Sequence, residues 1–350
     1  MKFSWWNVLL TQFSRPLPVA SEDLSEQTVV ILGANTGLGF EAAKHFARME
    51  PGRLILACRS QSKGAEALDT LRRETGYERG EVWMIDLADF ASIGRFADRF
   101  NQEEARLDIL VANAASGLAT YELTKDGYET TLQVNHLSTT LVSLLLLPKM
   151  VATSKLNSKT SARKPRLVVV SSGLHHMYQF DARALAKRSV LSYVSGSEHC
   201  TPANLAGGRV YSMSKLLNVF FVRSLASRLS TEGPSVIATI VEPGYCYSSL
   251  RRHWTGLQSL VDSLTQFLLA RSTEVGSRQL VCGALSFEDE EVHGQYIDTS
   301  ATSEVADYVL ENRDLEDRIW DETLEILIKA EPRVAEVVKQ ILGRAHHAKT

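Results

Sequence analysis

The sequence predicts an α/β fold in which one doubly wound, parallel sheet of about seven strands carries helices on both faces. Three observations predict it. Short aliphatic runs, at 28–32, 54–58, 82–85, 107–112, 166–170 and 236–241, recur along the chain, and a helical stretch separates nearly every pair, as parallel strands with crossover helices require. The runs are apolar almost without interruption, as in Arg166-Leu-Val-Val-Val170, which is the pattern of a strand buried on both faces rather than one. Finally, glycines and small polar residues follow the runs directly, and ligands of an open sheet bind beyond the carboxyl ends of its strands.

The first run leads into Gly33-Ala-Asn35-Thr36-Gly37-Leu38-Gly39 and then a helix over 40–49. Such a strand, glycine turn and helix let a backbone approach a pyrophosphate, which the helix N-terminus then holds. The second strand ends in Cys58-Arg59-Ser60, with its helix over 63–73. A carboxylate there would suit the ribose diol of NAD, whereas Arg59, supported by Lys63, suits the 2′-phosphate of NADP. The third strand delivers Asp86-Leu87 to the ligand crevice and is followed by a helix over 90–101. The fourth runs into Asn113-Ala114-Ala115, small enough to lie against a flat ligand.

A long apolar helix is expected over 126–150, with Asn135 in its middle, where a polar side chain needs a partner. The fifth strand delivers Ser171-Ser172, and the sixth ends at Glu242-Pro243-Gly244, with Ser248 just beyond. Helices over 258–270 and 274–286, a seventh strand at 294–297 and helices over 315–329 and 334–342 complete the chain. Tyr211-Ser-Met-Ser-Lys215 opens a strongly apolar helical run. Residues four apart share a helix face, so the Lys215 ammonium is expected to favour the phenolate of Tyr211 and make a proton donor or acceptor of it.

Composition removes other classes. With 38 Lys+Arg against 41 Asp+Glu the net charge is −3, so no nucleic-acid surface is expected, and the basic stretch 155–166 reads as a solvated loop. Cys58, Cys200, Cys246 and Cys282 are scattered without a C-x-x-C pair, which argues against a disulfide scaffold and against a metal site, and places the protein in a reducing compartment, the cytoplasm. The first residues are too often interrupted for a spanning helix or a signal peptide. Two readings stay open for them: an amphipathic helix packed on its own domain or a partner subunit, or a peripheral membrane helix using Phe3, Trp5, Trp6, Leu9, Leu10 and Phe13.

Together these residues resemble the short-chain dehydrogenase/reductase family over roughly 27–299. Its T-G-x-x-x-G-x-G motif is met from Leu32, which replaces the usual threonine, to Gly39. Asp86 matches its adenine-binding aspartate, Asn113-Ala-Ala115 its N-A-G segment, and Pro243-Gly244 with Ser248 its P-G-x-x-x-T segment. Asn135, Ser172, Tyr211 and Lys215 match its catalytic tetrad. The resemblance implies a Rossmann-type fold and NADP(H)-dependent interconversion of a carbonyl and an alcohol, with cofactor contacts at Gly33, Asn35, Thr36, Gly37, Leu38, Gly39, Arg59, Lys63, Asp86, Leu87, Asn113, Ala114, Tyr211, Lys215, Pro243, Gly244 and Ser248. It implies that Asn135 positions a water linking Lys215 to solvent.

The domain expected at 27–300 carries extensions at 1–26 and 301–350. Between Ser172 and Tyr211 lie 38 residues where the family usually has about a dozen, an insertion similar to that of retinol-dehydrogenase-like members. Its first half, with Tyr178 and Phe180, is expected to wall a substrate site, which favours a hydrophobic ketone or alcohol, and its second half, 195–208, to be a mobile surface loop. Other stretches look like fungal reductases of secondary metabolism. The alternatives are a retinol- or steroid-type dehydrogenase of lipid metabolism and an idle NADP-binding scaffold. Helices 137–150 and 213–229, apolar on several faces, predict a homodimer.

Overall fold

The computed structural model describes residues 12, 16–158, 163–229, 235–247, 265–266, 269–299 and 301–343. The amphipathic N-terminal helix, Ser248 and most of the helix expected over 258–270 lie outside the described residues.

Eight strands form a single sheet in the order β3-β2-β1-β4-β5-β6-β7-β8. They are β1 (Thr28–Leu32), β2 (Arg53–Cys58), β3 (Gly80–Met84), β4 (Ile109–Ala112), β5 (Arg166–Val170), β6 (Ile237–Glu242), β7 (Tyr296–Asp298) and β8 (Ala301–Ser303). The first seven pair in parallel; β8 turns back antiparallel on β7. This last strand goes beyond the seven expected because its three residues are exposed and carry no apolar signal. Strand order reverses between β1 and its neighbours β2 and β4, which opens the ligand crevice at the carboxyl ends. The register sets Leu32 beside Ala112, Ala112 beside Val169, and Val170 beside Val241. The segments that begin at Gly33, Asn113, Ser171 and Glu242 therefore leave the sheet side by side.

Alternate residues of the inner strands serve opposite cores, as a period of two demands. Val30 and Leu32 enter one cluster with Trp83, Phe96, Leu144, Phe220 and Trp320, while Val29 and Ile31 enter the other with Phe46, Leu71 and Leu280. The first cluster is the larger, because the Tyr211 helix Arg209–Arg228 is covered twice. The sheet lies on one side of it and the C-terminal helix Arg313–Ala330 on the other. Trp320 stacks on Phe221 with ring centroids 6.3 Å apart, Glu316 is fully buried and accepts from Arg223 Nε at 3.1 Å, and Thr323 Oγ1 lies 2.9 Å from His136 Nε2. The helix Arg333–Val337 packs on the neighbouring helix Ser138–Asn157. Parts of the apolar faces that predicted a homodimer are thus packed against the chain's own C-terminal helices.

The helix expected over 126–150 runs over Thr130–Asn157 instead. Glu129 caps it, its carboxylate accepting from Thr131 N at 2.9 Å and Leu132 N at 2.8 Å. Asp126 belongs to the preceding turn, where it accepts from Phe90 N and Gln133 Nε2. This helix is long and apolar enough to cross a membrane, yet most of its apolar stretch is packed inside the protein.

The insertion is not irregular. A 3-10 turn, Gly173–Met177, is followed by short helices Ala182–Leu185, Val190–Val194 and Pro202–Ala206, capped by the side chains of Asp181, Ser189 and Thr201. Tyr178 and Phe180 do not wall a cleft: they are 1% and 4% exposed and meet edge to face at 5.1 Å in the main core. Nor is 195–208 loosely attached. Ser195 Oγ accepts from Glu129 N at 2.8 Å, Ser195 O accepts from the Tyr121 hydroxyl at 3.1 Å, and His199, Cys200 and Leu205 are buried. Three short helices escape a periodicity reading because each is only a turn or so long.

Candidate active site

Gly33 has φ +76° and Gly37 φ +62°, so the turn needs glycine at both for conformational reasons. Gly39, the third, is needed for space: a β-carbon there would lie 2.4 Å from Gly33 O and 2.5 Å from Asn113 Nδ2. Asn113 itself donates to Leu32 O and Gly33 O, both at 3.2 Å, and so fastens the end of β4 to the turn after β1. Ala114 packs under Gly33. The helix Gly37–Ala47 begins without a side-chain cap from Thr36, so its first-turn N–H groups are free of side-chain acceptors. Asn35 and Leu38, half-buried, complete the turn.

Arg59 stands exposed at the end of β2, and Lys63 is exposed in the first turn of the next helix, Gln61–Thr75. Neither side chain is ion-paired to any described residue. Asp86 and Leu87 follow β3. Asp86 Oδ1 accepts from Ala88 N at 3.0 Å, and Leu87 O accepts from the Ser138 hydroxyl. An uncapped helix start, a glycine cradle and two uncommitted cations fit a phosphorylated dinucleotide.

The four tetrad positions come from three elements. Lys215 is 2% exposed, and its Nζ donates to Val170 O at 2.8 Å while lying 5.5 Å from the centroid of the Tyr211 ring. Burial pulls Lys215 down to about 7. Ser171 and Ser172 divide as neighbours on a strand should. Ser171 is buried and donates to Lys215 O at 3.0 Å, tying β5 to the helix, whereas half-buried Ser172 accepts from Leu174 N at 3.3 Å.

Asn135 lies in a π turn, Gln133–Leu137, the kind of helical irregularity that often accompanies a functional site. Its Oδ1 accepts from Ser116 N at 2.7 Å, and its Nδ2 donates to Ser116 O and to Ser214 Oγ, both at 2.8 Å. Ser214 in turn donates to Tyr211 O at 2.7 Å. Asn135 therefore joins the loop after β4 to the Tyr211 helix, and Gly117 comes so close that a β-carbon there would lie 3.4 Å from Tyr211 Cδ2. Ser116 and Gly117 escape the sequence reading because only this amide pairing gives them a role.

Beyond β6, Gly244 has φ +77°, and a side chain from far upstream meets it: Gln12 Nε2 donates to Tyr245 O at 2.7 Å and to Leu269 O at 2.6 Å, while Gln12 Oε1 accepts from Tyr245 N at 3.1 Å. Pro243 O accepts from the Cys246 thiol. Nothing in the sequence marks Gln12. Among the described residues no group of His, Cys, Asp and Glu could hold a metal ion.

Residues 27–187 match the family model described as short chain dehydrogenase. Over 93% of this chain and 98% of its own length, the short chain dehydrogenase/reductase dmxR8 of Cryptosporiopsis sp. (strain 8999) is 34% identical. The short chain dehydrogenase atnD of Emericella nidulans is 37% identical over 82% of this chain and 88% of its own. Among solved structures, an uncharacterized protein from Mycobacterium paratuberculosis is 25% identical with a TM-score of 0.61, covering 88% of this chain and 95% of its own. Salutaridine reductase from Papaver somniferum shares the fold at a TM-score of 0.56 and 21% identity, over 78% of this chain and all of its own.

Proposed function

This chain belongs to the short-chain dehydrogenase/reductase family of oxidoreductases, and on that premise we propose that it interconverts a carbonyl and an alcohol on a hydrophobic small molecule with NADP(H) as cofactor. The observation that carries the reading is the Lys215 ammonium, held by Val170 O on the same helix face as the Tyr211 phenol. The cofactor, when bound, supplies or accepts the hydride. Written as reduction, Tyr211 gives its hydroxyl proton to the carbonyl oxygen, and the Ser172 hydroxyl donates a hydrogen bond to that oxygen as charge develops on it. A charged Lys215 beside the ring favours the phenolate that remains. Asn135 has committed both amide hydrogens and one lone pair of Oδ1, which leaves a single acceptor site for a water on the path from Lys215 to solvent.

Arg59 and Lys63 support NADP(H) over NAD(H), since an exposed pair of cations at this strand end suits a 2′-phosphate. A structural neighbour from Shigella flexneri, 17% identical, was solved with NADP. Apolar side chains exposed on the segments that carry Ser172 and Gly244, namely Leu174, Met177 and Tyr247, support a hydrophobic substrate. The fungal relatives support a setting in secondary metabolism, for which polyketides or terpenoids are the substrate classes proposed; the cytoplasm is proposed from the scattered, unpaired cysteines. The catalytic unit is taken as 27–300; for the N-terminal residues the buried Gln12 supports a helix packed on its own domain, with peripheral membrane contact as the other reading.

The test is oxidation of NADPH and of NADH with a panel of hydrophobic ketones. NADPH turnover is expected with at least one of them. Tyr211→Phe is expected to bind NADPH as the parent does and to lose about 10² to 10⁴-fold in kcat, the usual worth of a positioned acid. A variant with parental kcat would remove Tyr211 from the mechanism.

A further inference from the structure

The peptide unit joining Ser172 to Gly173 is held from both sides by groups that the chemistry above does not use. On the carbonyl side, His175 Nδ1 lies 2.8 Å from Ser172 O. The other ring nitrogen fixes the tautomer: Ala306 N, a backbone donor, points at His175 Nε2 from 3.3 Å, so Nε2 accepts and Nδ1 carries the hydrogen that goes to Ser172 O. His175 is fully buried, and burial holds it neutral, down to about 3, so this arrangement persists across the working pH range.

On the amide side stands the carboxylate of Glu242, at the end of β6. A β-carbon on Gly173 would lie 2.6 Å from Glu242 Oε1 and 3.1 Å from Oε2, so only a glycine lets the carboxylate come against this backbone. Burial and Asp298 push Glu242 up to about 7, while the Tyr296 hydroxyl and the Gly173 N–H work in the opposite direction. The Tyr296 hydroxyl also donates to Glu242, and the Tyr296 ring meets the His175 ring edge-on at 4.8 Å. The two holds are therefore one assembly, drawn from the insertion, β6 and β7, and closed by the segment after β8.

We propose that His175 and Glu242 are positioning residues for Ser172, fixing the plane of the Ser172–Gly173 peptide and with it the direction in which Ser172 Oγ is presented to the substrate oxygen. A serine side chain has a single rotatable bond, so its backbone limits Oγ to the few positions of the staggered rotamers. Misplacement of a catalytic group by about 1 Å can cost on the order of 10²-fold in rate. The inference rests on the role given to Ser172 above.

A double-mutant cycle with Ser172→Ala tests it, read on the full-length enzyme with NADPH and the best ketone of the panel. His175→Leu and Glu242→Leu are each expected to lower kcat about tenfold or more while leaving KM for NADPH within about twofold, and His175→Asn, which keeps a donor near Nδ1, to recover most of the loss. In the Ser172→Ala background the same substitutions are expected to change kcat by no more than about twofold, because the group they position is gone. Gly173→Ala presses on the same contact from the backbone side and takes the place of Glu242→Leu in the cycle should that variant not fold. Losses that multiply with Ser172→Ala, or parental kcat in the single variants, overturn the positioning role alone. Parental kcat in Ser172→Ala itself would overturn the role of Ser172 first, and this inference with it.

Discussion

The two halves of the sheet solve the same problem, presenting groups at strand ends, by opposite means. Around β1, β2 and β4 the work is done within short stretches by glycines whose φ values or close contacts leave no other residue room, with Asn113 fastening the end of β4 to the turn after β1. Around β5 and β6 the serine and tyrosine are set by partners far away in sequence: Asn135 on Ser116 and Ser214, His175 against Ala306, Glu242 against Gly173, and the helix Arg313–Ala330 laid over the Tyr211 helix. A cofactor turn is local geometry. The substrate side is an assembly, and its stability and its chemistry are harder to separate.

That contrast can be broken most sharply at Trp320. The side chain is 5% exposed and stacked on Phe221, so Trp320→Ala is expected to cost about 3–5 kcal/mol of stability, read as a shift in urea midpoint, and to increase self-association in light scattering over that of the parent. A stable dimer in the parent would show that the C-terminal helices do not stand in for a second subunit.

On the cofactor side, a local change should act locally. Arg59→Asp is expected to weaken NADPH by about 10 to 100-fold, the worth of a charge-assisted contact, with no change in urea midpoint, and to move preference toward NADH. Equal use of both cofactors by the parent would deprive Arg59 of its role.

Two buried groups give the substrate side a pH signature of its own in the cofactor-free protein. Glu242 is pushed up to about 7 by burial and by Asp298, so the folded state holds its proton more tightly than the unfolded chain, and this contribution to stability is lost as pH rises from about 4.5 to 7. Lys215, pulled down to about 7, acts oppositely: the unfolded chain binds more protons between about 7 and 10.5, so stability rises with pH through that window. The two together predict a dip near neutrality. Glu242→Gln should flatten the acid side and Lys215→Met the alkaline side of a plot of urea midpoint against pH; a curve unchanged by both would refute the assignment.

The smallest effect is expected at the mouth of the site. Met177, 48% exposed on the segment that carries Ser172, is proposed to meet substrate, so Met177→Ala should raise KM for the ketone a few-fold at unchanged stability, whereas Tyr178→Ala, next to it but buried, should lower stability. The reverse pattern would restore Tyr178 as a wall of the site.

Much of this was written in the sequence by itself. Strand runs such as 166–170 are apolar on both faces whatever surrounds them, Gly33, Gly37 and Gly39 admit few backbones, and Tyr211 and Lys215 must share a helix face because helical geometry puts them there. The tertiary structure alone decided what depends on partners distant in the chain. Tyr178 became core rather than cleft, 195–208 became an anchored part of the insertion, β8 formed from three residues with no strand pattern, and the faces of the Tyr211 helix met the C-terminal helix of the same chain. The physical reason is range. Backbone geometry and periodicity act over a few residues and can be read there, whereas what a buried His175 or Glu242 touches is fixed by segments more than 60 residues away, Ala306 and Gly173, whose approach no local pattern encodes.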